Sequence, residues 1–495
     1  MSEQSNNTFN ASFVDEYQFF LKNYLFRLLG IVNYDLKQDN TERVIDSNGT
    51  STNVEKDGNK IYFYAMKTRL FHIDDDPALT EDNLRLARVV IESFFSFSEF
   101  RMIDKNKQNA LMSKQRKAKI YNMAIQVGIC NWIVGGSNPA NAETLLNILE
   151  RWSVTTYEGK HVTMGFIINP NVVSSAKIKF DDWISFLSDD CSAVLSDCIH
   201  SVFELDANCN FVDYKSISKG NIIAQCKLND RVPLRFTHII QQFIPEERDK
   251  KEMGKVGVFL LANGDILIAK NGVIRFVKRN MQWINLSYDA FKGALQNFIN
   301  VKYDQSRLKD AEKLVSCIYA SVLDVSFSHT GGIISVVGSE WTDGKAQGSP
   351  EQQVLNFSDN LLLDDETVKA KMADIICKDF DEITDPVERE KAITKATEKR
   401  LLKRKILKKL VCTTKFHELD RKLRSELIAL DGACILSLDG RVYSFGAIIQ
   451  NESGSSGGAR AAAAKKLSRY GMAVKVSTDG YIELYINSVA VYTAK

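Results

Sequence analysis

The chain changes its hydrophobic rhythm twice. Residues 12–33 place Phe13, Tyr17, Phe20, Tyr24 and Leu28 at helical spacing, so that one face of a helix is apolar. Thr80-Glu81-Asp82 reads as a helix start before Leu84, Leu86, Val89, Val90 and Phe94. Residues 104–133 continue helical with Ile120, Met123, Ala124 and Val127 inward, and 140–152 form a further short helix. The polar, turn-rich stretch Gln38–Lys60 reads as a loop. This pattern predicts an α-rich N-terminal domain over 1–153.

Near residue 154 the period shortens to two. HVTMGFIIN (161–169) and SVFELDANCNFVDY (201–214) alternate apolar and polar positions and read as strands. They predict an α+β middle region over 154–250. VGVFLLANGDILIAKNGVIRFV (256–277) contains two Asn-Gly steps between alternating runs, and Asn-Gly suits the positive φ angles of a tight hairpin. Residues 307–323 read as helix and 327–337 as a buried strand. Helical material then intervenes over about 340–430. Within it, KRLLKRKILKK (399–409) holds seven basic residues and no acidic one. Leu402, Ile406 and Leu410 give that helix one apolar face, expected to pack inward. After Leu430 the strand–Asp-Gly–strand pattern returns. The fold class expected is α/β, with a mixed sheet and flanking helices over 251–495.

The 495 residues suggest two to four domains. A hydrophobic fraction of 44% and a net charge of +2 predict a globular protein without bulk attraction to nucleic acid or membrane. No basic-then-apolar leader opens the chain, and no apolar run is long enough to span a bilayer. Nine scattered cysteines without a CxxC pair read as reduced thiols, hence a cytoplasmic expectation.

Candidate chemistry gathers near the C-terminus. SGSSGGARAAAAKKLSRYG (453–471) joins a side-chain-poor loop to an alanine helix. Gly454, Ser456 and Gly458 match a hydrolase elbow in form, but all six histidines precede the serine, which breaks the chain order that elbow requires. Phosphate binding fits better. Ser456, Gly457 and Gly458 let a ligand approach backbone N–H groups, and Arg460 stands in the first helical turn with Lys465 and Lys466 beyond it. Asp431 opens a strand where a carboxylate could hold a divalent metal beside a nucleotide. His329 and Thr330 precede Gly331-Gly332 at another strand mouth. Walker-type phosphate loops, HExxH and EF-hand loops are absent from the sequence.

Taken in order, three segments resemble the diadenylate cyclase domain of DisA-type proteins. Thr330-Gly331-Gly332-Ile333-Ile334-Ser335-Val336 is similar to the family's first strand. Asp431-Gly432-Ala433 matches its DGA motif, followed by a strand pair ending at Gly446-Ala447. Gly458-Ala459-Arg460-Ala461-Ala462, then Leu467-Ser468-Arg469, is similar to its arginine-histidine-arginine segment. The resemblance covers about 255–495, with 340–430 as an insertion. It implies that Asp431 binds Mg or Mn and that Gly432, Ala433, Thr330, Gly331 and the glycine loop receive a nucleotide. The family's histidine and second arginine fall on Ala461 and Ala462, and its glutamate on Arg469. Phosphoryl transfer depends on positioning and charge stabilisation, so these losses should cost turnover more than binding. The divergent form resembles sensor-type domains of prokaryotic nucleotide-signalling and anti-phage systems. WSVTTYEGKHVTMGFIIN (152–169) and Leu195-Ser196-Asp197 also look like parts of that architecture. The resemblance thus implies a bacterial sensor of a nucleoside triphosphate or dinucleotide, an effector protein partner and a homo-oligomer. Two other expectations stand beside it: an active nucleotidyltransferase making a linear or cyclic dinucleotide, and a protein-interaction scaffold.

Overall fold

A computed structural model describes residues 11–31, 34–42, 53–65, 68–75, 80–96, 114–157, 159–172, 177–189, 197–217, 230–244, 254–338, 361, 365–366, 368–369, 376, 380, 382–411, 414–449 and 458–495. It divides into two compact units. One holds Met1–Leu228 with Arg235–Ala290, and the other holds Asn229–Leu234 with Phe291–Lys495. Both mix helices with sheet, so the α/β class expected from the sequence is the one observed.

In the first unit, helix α1 (Ala11–Phe20) continues through a π-helical turn, Leu21–Leu25, into α2 (Phe26–Leu29). The aromatic face read from the sequence is buried: Tyr17, Phe20 and Leu28 are core residues, and Phe20 stacks on Phe94 with ring centroids 4.3 Å apart. The N-terminal third is not all helical, however. Strands β1 (Lys37–Glu42), β2 (Val54–Asp57), β3 (Lys60–Ala65) and β4 (Thr68–Asp74) form an antiparallel sheet in the order β1-β4-β3-β2. The stretch expected as a loop contains β1 and β2. Both are edge strands, and their sequences, KQDNTE and VEKD, are polar because an edge carries little packing. Helices α3 (Glu81–Ser96), α4 (Lys114–Ile133) and α5 (Pro139–Trp152) follow. The first part of the helix expected over 104–133 lies outside the described residues. Asn138 caps α5 through Asn141 N–H, with Pro139 at the first helical position.

The short hairpin β5 (Thr156–Tyr157) and β6 (Lys160–His161) precedes β7 (Met164–Ile168). Helix α6 (Phe180–Asp189), β8 (Ser201–Leu205), β9 (Phe211–Ser216), helix α7 (Thr237–Phe243) and the meander β10 (Val256–Leu260), β11 (Ile266–Lys270), β12 (Val273–Arg279) and β13 (Gln282–Asn285) complete the unit. The meander does not open the C-terminal domain as the pattern suggested. β10 pairs antiparallel with β7, giving a seven-stranded sheet β13-β12-β11-β10-β7-β8-β9. The boundary therefore falls near 290 and not at 251. Local alternation predicts strands well but carries no label for the partner strand. A buried Arg279–Asp265 pair (Nη2–Oδ2 2.6 Å) sits in this sheet, and Lys278 bonds Glu150 and Gln126.

In the second unit, helices α8 (Tyr288–Lys302) and α9 (Leu308–Ser328) lead to strand β14 (Gly332–Val337). The strand expected from 327 starts later, because Phe327 and Ser328 still belong to α9 and His329 ends it in the left-handed conformation, φ 54°. Helices α10 (Pro386–Val411) and α11 (Arg421–Ala429) come from the insertion. Strands β15 (Ala433–Ser437) and β16 (Val442–Ala447), helix α12 (Gly458–Leu467), and β17 (Gly471–Val476), β18 (Ile482–Ile486) and β19 (Val489–Ala494) close the chain. Their sheet runs β16-β15-β14-β17-β18-β19, with β14 and β15 parallel and the other pairs antiparallel. Arg421 and Asp324 form a buried bidentate pair (2.8 and 3.0 Å). Arg421 also donates to Val232 O, and Leu234 N–H donates to Asp324, which pins residues 232–234 to this unit. No described helix is long and apolar enough to cross a membrane.

Candidate ligand site at one end of the second sheet

Helix α12 answers why alanines fill a helix next to glycines. Ala461, Ala463, Ala464 and Leu467 are buried, and the last three share a core cluster with Ile333, Ala433, Ile435, Ala447 and Ala473. Methyl side chains let the helix lie close on the sheet. Ala461, which the resemblance would set at a histidine position, is buried, whereas Arg469 is exposed and bonds Ser488 Oγ through Nε at 3.1 Å.

The sheet's register brings distant motifs to one end. The parallel pairing Ile334↔Cys434 sets Gly332 level with Gly432, and therefore Thr330-Gly331 beside Asp431. β15 pairs Ala433 with Ala447, so β16 finishes at that same end. β17 runs opposite to β14, from Gly471↔Val337 to Val476↔Gly332. A turn of three residues joins α12 to β17, so the first turn of α12 also stands at the Gly332 end. Arg460 is the contact that follows: its Nη1 lies 2.7 Å from where a Cβ on Gly331 would stand, and Thr478 N lies 3.2 Å from the same point. His329 Nδ1 is 3.2 Å from Thr478 O.

Glycine is required here for two different reasons. Gly331 (φ 70°) makes room for a guanidinium. Gly432 (φ 104°) and Gly446 (φ 62°) make room for each other: a Cβ on Gly432 would be 2.5 Å from the Gly446 carbonyl carbon. Gly458 also has positive φ, 80°, but faces open space.

Thr330 and Asp431 are exposed and Arg460 is partly so. Among the described residues, no hydrogen bond or ion pair engages the side chains of Arg460 or Asp431. The sequence reading missed Lys403 of the basic helix α10, whose Nζ lies 3.9 Å from the Cβ position of Gly446. Its only signal was membership of the 399–409 run. Lys465, grouped with Arg460 in the sequence, is elsewhere: its Nζ lies 6.0 Å from the centre of the Tyr485 ring, on β18 opposite Ala473. Five residues of helix rotate it away from Arg460. Burial and the neighbouring Glu483 push the Tyr485 phenol up to about 12. Ser456 and Gly457 lie outside the described residues. Gly432 stands against Gly446, and Ala433 is buried in the core cluster that it shares with Ala463 and Ala464 of α12. Cys434 next to it is fully buried, and burial raises its thiol well above the usual range, which leaves it no nucleophilic character.

Metal binding would fall on Asp431. Among the described residues no group of three or more His, Cys, Asp or Glu side chains gathers to hold an ion. A single carboxylate suffices only for a hard cation that arrives with phosphate oxygens of its own.

No model of a known protein family matches the chain. No curated protein matches it either.

Proposed function

We propose that this end of the second sheet binds the phosphates of a nucleotide, and that the protein is a sensor with a degenerate diadenylate-cyclase-like site. The observation that carries the reading is Arg460, which stands over Gly331 at the first turn of α12 with no acidic partner among the described residues. A guanidinium without a carboxylate is a ready bidentate partner for phosphate. Gly458 has open space at its Cβ position, and the helix start adds positive potential. The ligand class is a nucleoside triphosphate or a dinucleotide, and an effector protein would receive the signal. The resemblance further suggests a role in bacterial anti-phage signalling.

Ala461 supports sensing over turnover. A buried alanine methyl cannot supply a polar group to a triphosphate. One observation favours a second reading, a nucleotidyltransferase: Asp431 is exposed and unpaired among the described residues, beside the same edge. If a Mg²⁺–nucleotide binds, the metal supplies charge neutralisation and Asp431 holds it, while Arg460 holds a phosphate. The two readings separate in one assay. The purified chain is incubated with each NTP and dNTP plus Mg²⁺ or Mn²⁺, and pyrophosphate and dinucleotide masses are followed. The sensor reading expects bound nucleotide and no product. A product that disappears in Asp431→Asn would replace it with the transferase reading.

A further inference from the structure

Two histidines of the first unit, His200 and His238, are 38 residues apart in sequence and adjacent in space. Asp197 organises the first of them. Its Oδ1 accepts the backbone N–H groups of Ile199, His200 and Ser201 at 3.1, 2.6 and 2.9 Å, and its Oδ2 lies 2.7 Å from His200 Nδ1. His238, on α7, places Nε2 2.7 Å from the carbonyl oxygen of Ile199. A carbonyl only accepts, so His238 carries its proton on Nε2. A carboxylate held by three N–H groups accepts in the same way, so His200 carries its proton on Nδ1. Each neutral ring is left with a bare lone pair, on His200 Nε2 and on His238 Nδ1. Neither atom has a hydrogen-bond partner among the described residues.

This is the arrangement that metal-binding histidines adopt: one nitrogen fixed by a carboxylate or backbone carbonyl, the other free to ligate. The spacing agrees. The ring centroids are 5.5 Å apart and the planes 33° from parallel. Zinc–nitrogen bonds of about 2 Å put the ion about 3 Å from each ring centre, so two rings at a tetrahedral angle stand about 5 Å apart. We propose that His200 and His238 form a two-imidazole site for a borderline divalent ion such as zinc, with Asp197 and the Ile199 carbonyl as the outer partners that orient the rings. No third His, Cys, Asp or Glu joins them among the described residues. Among the described residues the remaining coordination positions fall to water or a small ligand. Imidazole donors select zinc, copper or nickel over magnesium or calcium.

The test is zinc binding to the full-length chain by equilibrium dialysis, with His200→Gln, His238→Gln and the double variant compared. Cysteine thiolates also ligate zinc, and the chain has nine cysteines, so the reading is the difference between proteins. The site predicts one equivalent at micromolar zinc that both single variants lose, and an affinity about 10-fold weaker in Asp197→Asn. Carbethoxylation of His200 and His238, mapped by mass spectrometry, must be slowed by zinc. Equal zinc stoichiometry in the wild-type and double-variant proteins, or carbethoxylation indifferent to zinc, overturns the proposal. Glutamine can keep the donor to Ile199 O, and circular dichroism establishes that each variant is folded.

Discussion

At Gly432 a single methyl group separates two predictions. Its φ of 104° strains any L-residue, and the space for a Cβ is already filled by the backbone of Gly446. At Gly458 the φ of 80° gives the strain without the clash. Gly432→Ala should therefore cost more than about 3 kcal/mol, and Gly458→Ala about 1 kcal/mol. Denaturant unfolding of the full chain measures both, and equal costs would mean that Gly432 and Gly446 do not pack as described. The Asp-Gly-Ala segment was legible in the sequence because glycine after an aspartate marks a turn. Its counterpart at 446 was legible only as the end of a strand, because a backbone-to-backbone approach leaves no side-chain signature. Lys403 was invisible as a site residue for a related reason: its place beside Gly446 depends on how a distant helix docks.

Helix α10 shows what periodicity decides and what it leaves open. The sequence correctly groups Leu402, Ile406 and Leu410 on one face, since residues four apart stack on a helix. It assigns that face to the interior, and there the structure differs. The three side chains are 59, 52 and 48% exposed, whereas Arg404 is 3% exposed. Asp365 explains the inversion, accepting from Arg404 Nε and Lys408 Nζ at 2.9 Å each. Hydrogen bonds from those two cations hold the Asp365 carboxyl below the usual range. Leu402→Ser, Ile406→Ser and Leu410→Ser should each change unfolding free energy by less than about 1 kcal/mol, the range of surface positions. Losses of about 2–5 kcal/mol per site, typical of buried leucine or isoleucine truncation, would show that this face is packed. The missed strands β1 and β2 teach the complementary lesson. Where a strand sits at a sheet edge, polar residues are tolerated and the two-residue period disappears.

Across the whole molecule, the class of fold and most strands could be read from alternation, while the division into units could not. The meander 256–285 looks like the opening of the C-terminal domain until β10 is seen to pair with β7. Non-local pairing of this kind is a property of the finished sheet and has no local signal. The candidate site shows the same logic with a better outcome. Residues near 330, 431, 446 and 460 are far apart in sequence, and one parallel and two antiparallel pairings collect them at one end. The most direct measurement is a calorimetric titration of wild-type and Arg460→Ala protein with ATP and with adenosine. Charge-assisted hydrogen bonds contribute about 1.5–3 kcal/mol. The account therefore predicts that ATP binds at least about 10-fold more weakly to Arg460→Ala and that adenosine binds both proteins equally poorly. ATP affinity unchanged by the substitution, or no ATP binding to the wild-type chain, would contradict it.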